Sequence, residues 1–209
     1  MIHLYGSAGS CSVGTRILLE EAGADYTAHT LDFAKKEQFS PEFRAVNPKG
    51  KVPAVVRPDG SLLTEYQAIA FWIADTFPQA GLLPNDAEAR LRVMELMDYM
   101  VASVHMRGFT FVIVPMKFSP NAQTQADLVE HGRAQIAIGF EQLAERLEGH
   151  GWLAGEYSVA DSVLFYMTRW ALLKEVPLPP AIAAHHNRML DRPAVQRAIA
   201  GQGITVPRA

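Results

Sequence analysis

The only cysteine of the 209-residue chain, Cys11, stands in the run GSAGSCSVG (residues 6–14), between Ser10 and Ser12. The segment Ile2–Tyr5 reads as a strand, and Val13, Ile17, Leu18 and Ala22 recur at helical spacing. The thiol therefore falls at a helix start, where backbone N–H groups and the positive end of the helix dipole favour an anion. Such a setting draws a thiol below its ordinary value of about 8.5 and makes it a nucleophile. The competing reading is a small residue filling a tight loop. A dithiol oxidoreductase carries its second cysteine three residues on, but Gly14 stands there, so any partner sulfur has to come from solution. A small-molecule thiol fits, and the hydroxyls of Ser7, Ser10 and Ser12 could hydrogen-bond its sulfur.

Two further groupings suit a peptide-like ligand. In KVPA (Lys51–Ala54), a Val52–Pro53 bond at a strand start is compatible with a cis peptide. In that form the N–H and C=O of Val52 point away from the sheet edge, where an extended peptide can pair with them. The alternative is a proline that blunts an edge strand. In LLTEYQAI (Leu62–Ile69), Thr64 or Glu65 opens a helix, and Glu65 serves either as a simple cap or as the partner of an α-amino group. The amides of Tyr66 and Gln67 would then take the neighbouring carboxylate.

These groups need a scaffold, and the pattern supplies one. After Gly23, Asp25–Phe33 alternates as a second strand, parallel to the first across a helical connection. Ser40 and Pro41 open a short helix that stops before Pro48. Ala54–Val56 and Leu62–Leu63 flank the turn Pro58-Asp59-Gly60, and Glu65–Phe77 is an amphipathic helix with Ala68, Ile69, Trp72 and Ile73 on one stripe. The order β-α-β-α-β-β-α occupies residues 1–80. A linker at residues 81–86 follows, with the boundary near Pro84, and residues 87–209 carry only helical signals: Ala87–Val114, Thr124–Leu147, Val159–Lys174, Ile182–Asp191 and Ala194–Ala200. The fold class is α/β plus all-α. Within the helical half, Ser158-Val-Ala-Asp161 is a capping box with Asp in place of Glu, although Tyr157 and Ser162 make a poor hydrophobic staple.

Composition narrows the function. With 49% hydrophobic and 20% charged residues and a formal net charge of -3, the chain has no basic stripe for a nucleic acid. It has no P-loop lysine, no zinc-ligand spacing among its seven histidines, no signal-peptide pattern and no 18-residue apolar run. A cytoplasmic protein with no metal and no membrane partner is expected, since one cysteine forms no internal disulfide.

Together, YGSAGSCS, NPKGKVPAV (Asn47–Val55), LTEYQAIAFWIAD (Leu63–Asp75) and GEYSVADSVLFYM (Gly155–Met167) resemble the glutathione transferase superfamily along the whole chain. Cys11 in SCS, Lys35 in LDFAKK and His105 in SVHMRGF most resemble its bacterial beta class. The resemblance implies a thioredoxin-like N-terminal domain that binds glutathione, followed by a helical bundle with the acceptor site. It implies glutathione as co-substrate rather than a prosthetic group, a small hydrophobic electrophile as its partner, and a homodimer. It also implies roles. Cys11, Ser10 and Ser12 contact the sulfur, Val52 beside Pro53 pairs with the cysteinyl backbone, and Glu65 meets the γ-glutamyl amine. Lys35 and Lys51 meet carboxylates, His105 faces the acceptor, and Tyr5 falls where some relatives keep a tyrosine. Two positions depart from the pattern. Tyr66 replaces a serine whose hydroxyl grips the γ-glutamyl carboxylate, a hydrogen bond worth about 1.5–3 kcal/mol; Met106 stands where a basic residue is expected, with Arg107 next to it. The expected activity is conjugation of glutathione. The alternatives are thiol-redox or isomerase work through Cys11, and a non-catalytic binding module of the same fold.

Overall fold

The computed structural model describes every residue, Met1–Ala209, in two compact units. The first comprises Met1–Leu83 with Leu190–Val206, and the second Pro84–Met189 with Pro207–Ala209.

In the first unit β1 (Ile2–Gly6), α1 (Ser12–Glu21), β2 (Tyr26–Thr30), α2 (Pro41–Val46), β3 (Ala54–Val56), β4 (Leu62–Thr64) and α3 (Tyr66–Thr76) follow in the expected order. The sheet runs β2-β1-β3-β4. The α1 crossover makes β1 and β2 parallel, with Ile2 opposite Tyr26 and Gly6 opposite Thr30. Strand β3 is antiparallel to β1, with Leu4 opposite Val55, and β4 is antiparallel to β3. Alternation in β1 buries Ile2, Leu4 and Gly6, which belong to a core with Val13, Ile17 and Leu18 of α1 and Ile69 and Ile73 of α3. Ser40 Oγ accepts the Phe43 N–H at 3.2 Å, so α2 is capped and carries Pro41 at its first position. The buried stripe of α3 is Tyr66, Ile69, Ala70, Ile73 and Ala74. Ala68 is exposed and Trp72 half-buried, so of the expected stripe only Ile69 and Ile73 face inward, with Tyr66, Ala70 and Ala74 beside them.

One helix packs where the sequence does not suggest it. α9 (Pro193–Gln202) carries the polarity of a member of the helical half, yet it lies along α1 in the first unit. Arg192 forms a two-point pair with Glu21 at 2.6 and 3.0 Å, and Arg197 Nε donates to Glu20 at 2.8 Å. Midway along α1, Arg16 donates to the Gly201 carbonyl at 2.5 Å.

The second unit is helical. α4 (Ala87–Asp98) continues without a break through a wider π-type stretch, Tyr99–Phe109, into α5 (Thr110–Ile113), and the run ends before Pro115. α6 (Ala122–Leu147) packs on the π-type stretch, and glycines set the distance. A Cβ at Gly139 would lie 2.6 Å from Val104 Cγ2, and one at Gly132 would lie 2.7 Å from the Gly108 carbonyl. Met97 and Met100 are fully buried in this core, while Met94 and Met106 are 43% and 45% exposed. α7 (Val159–Leu173) begins with the full capping box: Asp161 Oδ2 accepts the Ser158 N–H at 2.8 Å. Its Oδ1 accepts the Leu153 N–H at 3.1 Å and pairs at 2.9 Å with Nε2 of His185 on α8 (Pro180–Leu190). Asp161 and His185 are wholly buried, so the cap also pins α8 to the start of α7. Tyr157 packs edge-on against Trp152, 5.2 Å away, rather than on Ser162. No helix is long and apolar enough to cross a membrane.

Candidate functional site

The Cys11 loop is built by serines and glycines. Gly9 has φ +70°, a conformation open to glycine, and Ser10 N–H closes a turn on the Ser7 carbonyl at 3.1 Å. Gly6 admits the buried Ser12 side chain, since a Cβ there would lie 2.5 Å from Ser12 Oγ. Ser10 Oγ donates to the Ser7 carbonyl at 2.8 Å, Ser12 Oγ contacts Ser10 Oγ at 2.7 Å, and the Ser7 N–H donates to Ser12 Oγ at 3.1 Å. Each hydroxyl has a single proton, and these contacts absorb both. Ser10 and Ser12 thus shape the loop, and neither keeps a proton for an external sulfur. Gln202, at the end of α9, accepts the Gly9 N–H at 3.1 Å.

Cys11 caps α1 without a side-chain cap bond. Its Sγ lies 3.6 Å from the Val52 carbonyl, to which it donates. The expectation of a lowered thiol pKa is overturned. Burial pushes the Cys11 thiol up to about 12, and the Cys11 and Ser12 N–H groups oppose that only in part. Resting Cys11 is a neutral S–H donor.

The Val52–Pro53 bond is cis. Val52 lies outside β3, so its N–H has no ladder partner in the sheet, and its carbonyl keeps a second lone pair beside the one facing Cys11. Asn47, buried to 1% exposure, shapes the approach to this edge: its side chain donates to the Lys51 carbonyl at 2.7 Å and accepts the Lys49 N–H at 3.2 Å. The Lys51 side chain is exposed. The lysine that reaches Glu65 is Lys49, whose Nζ lies 2.5 Å from Glu65 Oε1 and 2.8 Å from Thr64 Oγ1. Glu65 makes no side-chain cap bond, so the capping reading fails. Its φ of +70° and ψ of 127° place it in a sparsely populated region, a conformation that costs on the order of 1–3 kcal/mol and clusters at functional sites. Tyr66 is withdrawn to 6% exposure at the first position of α3, leaving the helix start and the Glu65 carboxylate at the surface.

Other expected residues sit elsewhere. Lys35 is an exposed side chain paired at 3.6 Å with Asp32. Tyr5 stacks on His29 with centroids 4.5 Å apart and meets Phe43 at 5.7 Å, a packing role. In the helical unit, His105 lies on the π-type stretch with Nδ1 3.2 Å from Tyr166 Oη and Trp170 edge-on at 4.9 Å. Burial holds its pKa down to about 4, so the imidazole is neutral at physiological pH.

Asn47, Lys49 and Gln202 escaped the sequence reading. Asn47 and Lys49 lie inside the quoted NPKGKVPAV run, whose spacing around the proline was the available signal. Gln202 had no local signal, because its partner is 193 residues away.

A cis-proline at the start of β3, facing a thiol at the start of the first helix, is the thioredoxin-like arrangement of proteins that handle thiols. Residues 8–76 match the family described as glutathione S-transferase, N-terminal domain, and residues 101–193 its C-terminal domain. The chain is 34% identical over 206 residues to glutathione S-transferase GstA of Escherichia coli O157:H7, covering 96% of this chain and 98% of that one. It is 29% identical to the disulfide-bond oxidoreductase YfcG of E. coli K12, covering 95% and 94%. Its structure is similar to a Sulfitobacter glutathione transferase homologue with bound glutathione, with a TM-score of 0.90, 28% identity, and 98% and 99% coverage. It is also similar to the beta-class enzyme of Sphingomonas chungbukensis, with a TM-score of 0.83, 30% identity, and 97% and 100% coverage. The chain belongs to the glutathione S-transferase family.

Proposed function

We propose that this protein binds glutathione along Val52 and transfers its sulfur to a small apolar electrophile. The observation that carries the reading is the 3.6 Å approach of the Cys11 thiol to the Val52 carbonyl. A tripeptide paired with Val52 by strand addition brings its own cysteinyl sulfur to the S–H donor at the start of α1. Cys11, protonated throughout the physiological range, donates to the glutathione thiolate and favours its charged form. The glutathione proton leaves to solvent, the S–C bond forms, and the electron pair departs with a leaving group or onto the adjacent carbon of an activated double bond.

Glu65 takes the γ-glutamyl ammonium, and the first turn of α3 takes the neighbouring carboxylate. Lys49 balances Glu65 and serves a carboxylate in the role first assigned to Lys51; Lys35 is left to a solvent-facing contact. We assign the acceptor subsite to the helical unit, with neutral His105 among its polar groups. The raised Cys11 pKa speaks against a resting thiolate that attacks disulfides. Leu91 and Met94 on α4, 53% and 43% exposed, support self-association as a homodimer, and a lone free thiol suits the reducing cytoplasm.

The test is calorimetric titration with glutathione, together with conjugation to 1-chloro-2,4-dinitrobenzene. Saturable binding that weakens in Glu65→Gln, with measurable turnover, supports the reading; no binding and no turnover refute it.

A further inference from the structure

The loop that holds Cys11 is tied to the far end of the chain. Its inner side is self-sufficient: Ser10 N–H bonds the Ser7 carbonyl, and Ser7, Ser10 and Ser12 bond one another. Its outer side is different. The Gly9 N–H donates to Gln202 Oε1 at 3.1 Å. One residue earlier on α9, the Gly201 carbonyl accepts from Arg16 at 2.5 Å, and a Cβ at Gly201 would lie 2.0 Å from Arg16 Nη2, so α9 seats closely here. The start and middle of α9 are held to α1 by Arg192–Glu21 and Arg197–Glu20. Gln202, the last residue of α9, is therefore placed at the loop by a helix anchored along its length.

Cys11 is two residues from Gly9; its carbonyl accepts the Gly14 N–H at 3.0 Å, but its side chain is held only by a long contact to the Val52 carbonyl, with no cap bond. Its environment thus depends on the backbone path of the loop.

We propose that Gln202 is a positioning residue for the candidate thiol site, fixing the Gly9 N–H so that the last turn of α9 sets the backbone path of the loop that carries the half-buried Cys11. Gln202 acts through the loop and touches no reacting atom. When its acceptor is removed, the outer side of the loop opens, the half-buried Cys11 gains further access to water, and its thiolate becomes easier to form. A neutral hydrogen bond of ordinary strength corresponds to about a two- to tenfold change.

The consequence for glutathione affinity rests on the function proposed above, but the primary readouts need no glutathione. The first is amide exchange at Gly9, and the second is the rate of Cys11 alkylation by iodoacetamide at fixed pH, followed by mass spectrometry of the whole protein. Gln202→Ala and the similarly sized Gln202→Met should each accelerate both by about two- to tenfold. Gln202→Glu, which keeps an acceptor at the same reach, should stay near wild type. Arg197→Ala, which breaks the pair with Glu20 midway along α9 and leaves the Arg192 and Gly201 anchors in place, should lower the melting temperature and leave both rates unchanged. Unchanged rates in Gln202→Ala and Gln202→Met, equal acceleration in Gln202→Glu, or equal acceleration in Arg197→Ala would each overturn the proposal. Failure of glutathione binding with these outcomes intact would sink the function and leave the positioning role standing.

Discussion

Titration of Cys11 separates the two forces that meet at the start of α1. A thiol governed by the helix dipole ionises below about 8.5, whereas burial holds this one near about 12. At pH 8 a free thiol is roughly one quarter ionised, and a thiol at about 12 is ionised in only about one molecule in ten thousand. The thiolate fraction falls by about three orders of magnitude. A more basic thiolate is intrinsically more nucleophilic, and at a Brønsted slope of about 0.4–0.5 this returns between one and two of those orders. Net alkylation of Cys11 should then run on the order of a hundredfold slower than that of glutathione at the same pH, and rise about tenfold per pH unit through pH 9. The assay is iodoacetamide modification from pH 6 to 10, with thiolate absorbance near 240 nm as a second measure and Cys11→Ala as blank. A midpoint at or below 8.5, or alkylation as fast as that of the free tripeptide, would refute the reasoning.

Four other outcomes follow from the same geometry. Asn47→Ala removes the buried side chain that bridges Lys49 and Lys51 and should cost about 1–3 kcal/mol in urea unfolding, with weaker glutathione binding. Gly6→Ala drives a methyl to 2.5 Å from Ser12 Oγ and should cost about 1–3 kcal/mol, read by thermal unfolding. Glu65→Gln should weaken glutathione binding by about tenfold or more through loss of a charge-assisted contact while sparing the melting temperature, because the Lys49 pair it breaks is exposed. His105, held down to about 4 against an unfolded value near 6.5, binds its proton in the unfolded chain first. Its contribution is complete above pH 6.5 and declines as pH falls toward 4, by about 3 kcal/mol in all. Urea midpoints at pH 7 and pH 5 should therefore converge in His105→Phe relative to wild type.

The order of elements in the first unit was legible because its signals are local: the Ser40–Pro41 start, the Pro58–Gly60 turn, and the alternation of β1. The Ser158–Asp161 box was legible for the same reason, but His185, its second partner, was not, since it lies 24 residues away on another helix. The placement of α9 escaped because Arg192 and Arg197 look like ordinary surface charges until Glu20 and Glu21 face them. At the candidate site, the cis Val52–Pro53 bond was legible from its proline at a strand start, but the physics of Cys11 and Glu65 was not. Helix-start logic weighed the dipole and could not weigh the burial that overrides it at Cys11. The positive φ of Glu65 turns its carboxylate toward Lys49 instead of back onto the helix, and no residue type announces that. Ser10 and Ser12 have the hydroxyls a sulfur site could use, yet the turn at Gly9 folds them onto each other and onto Ser7.

A crystal structure with reduced glutathione tests the account most directly. The account predicts that Val52 exchanges backbone hydrogen bonds with the cysteinyl residue, that the glutathione sulfur lies within about 4 Å of Cys11 Sγ, and that the ammonium group meets Glu65. Glutathione bound away from Val52, or with its sulfur turned from Cys11, would contradict it.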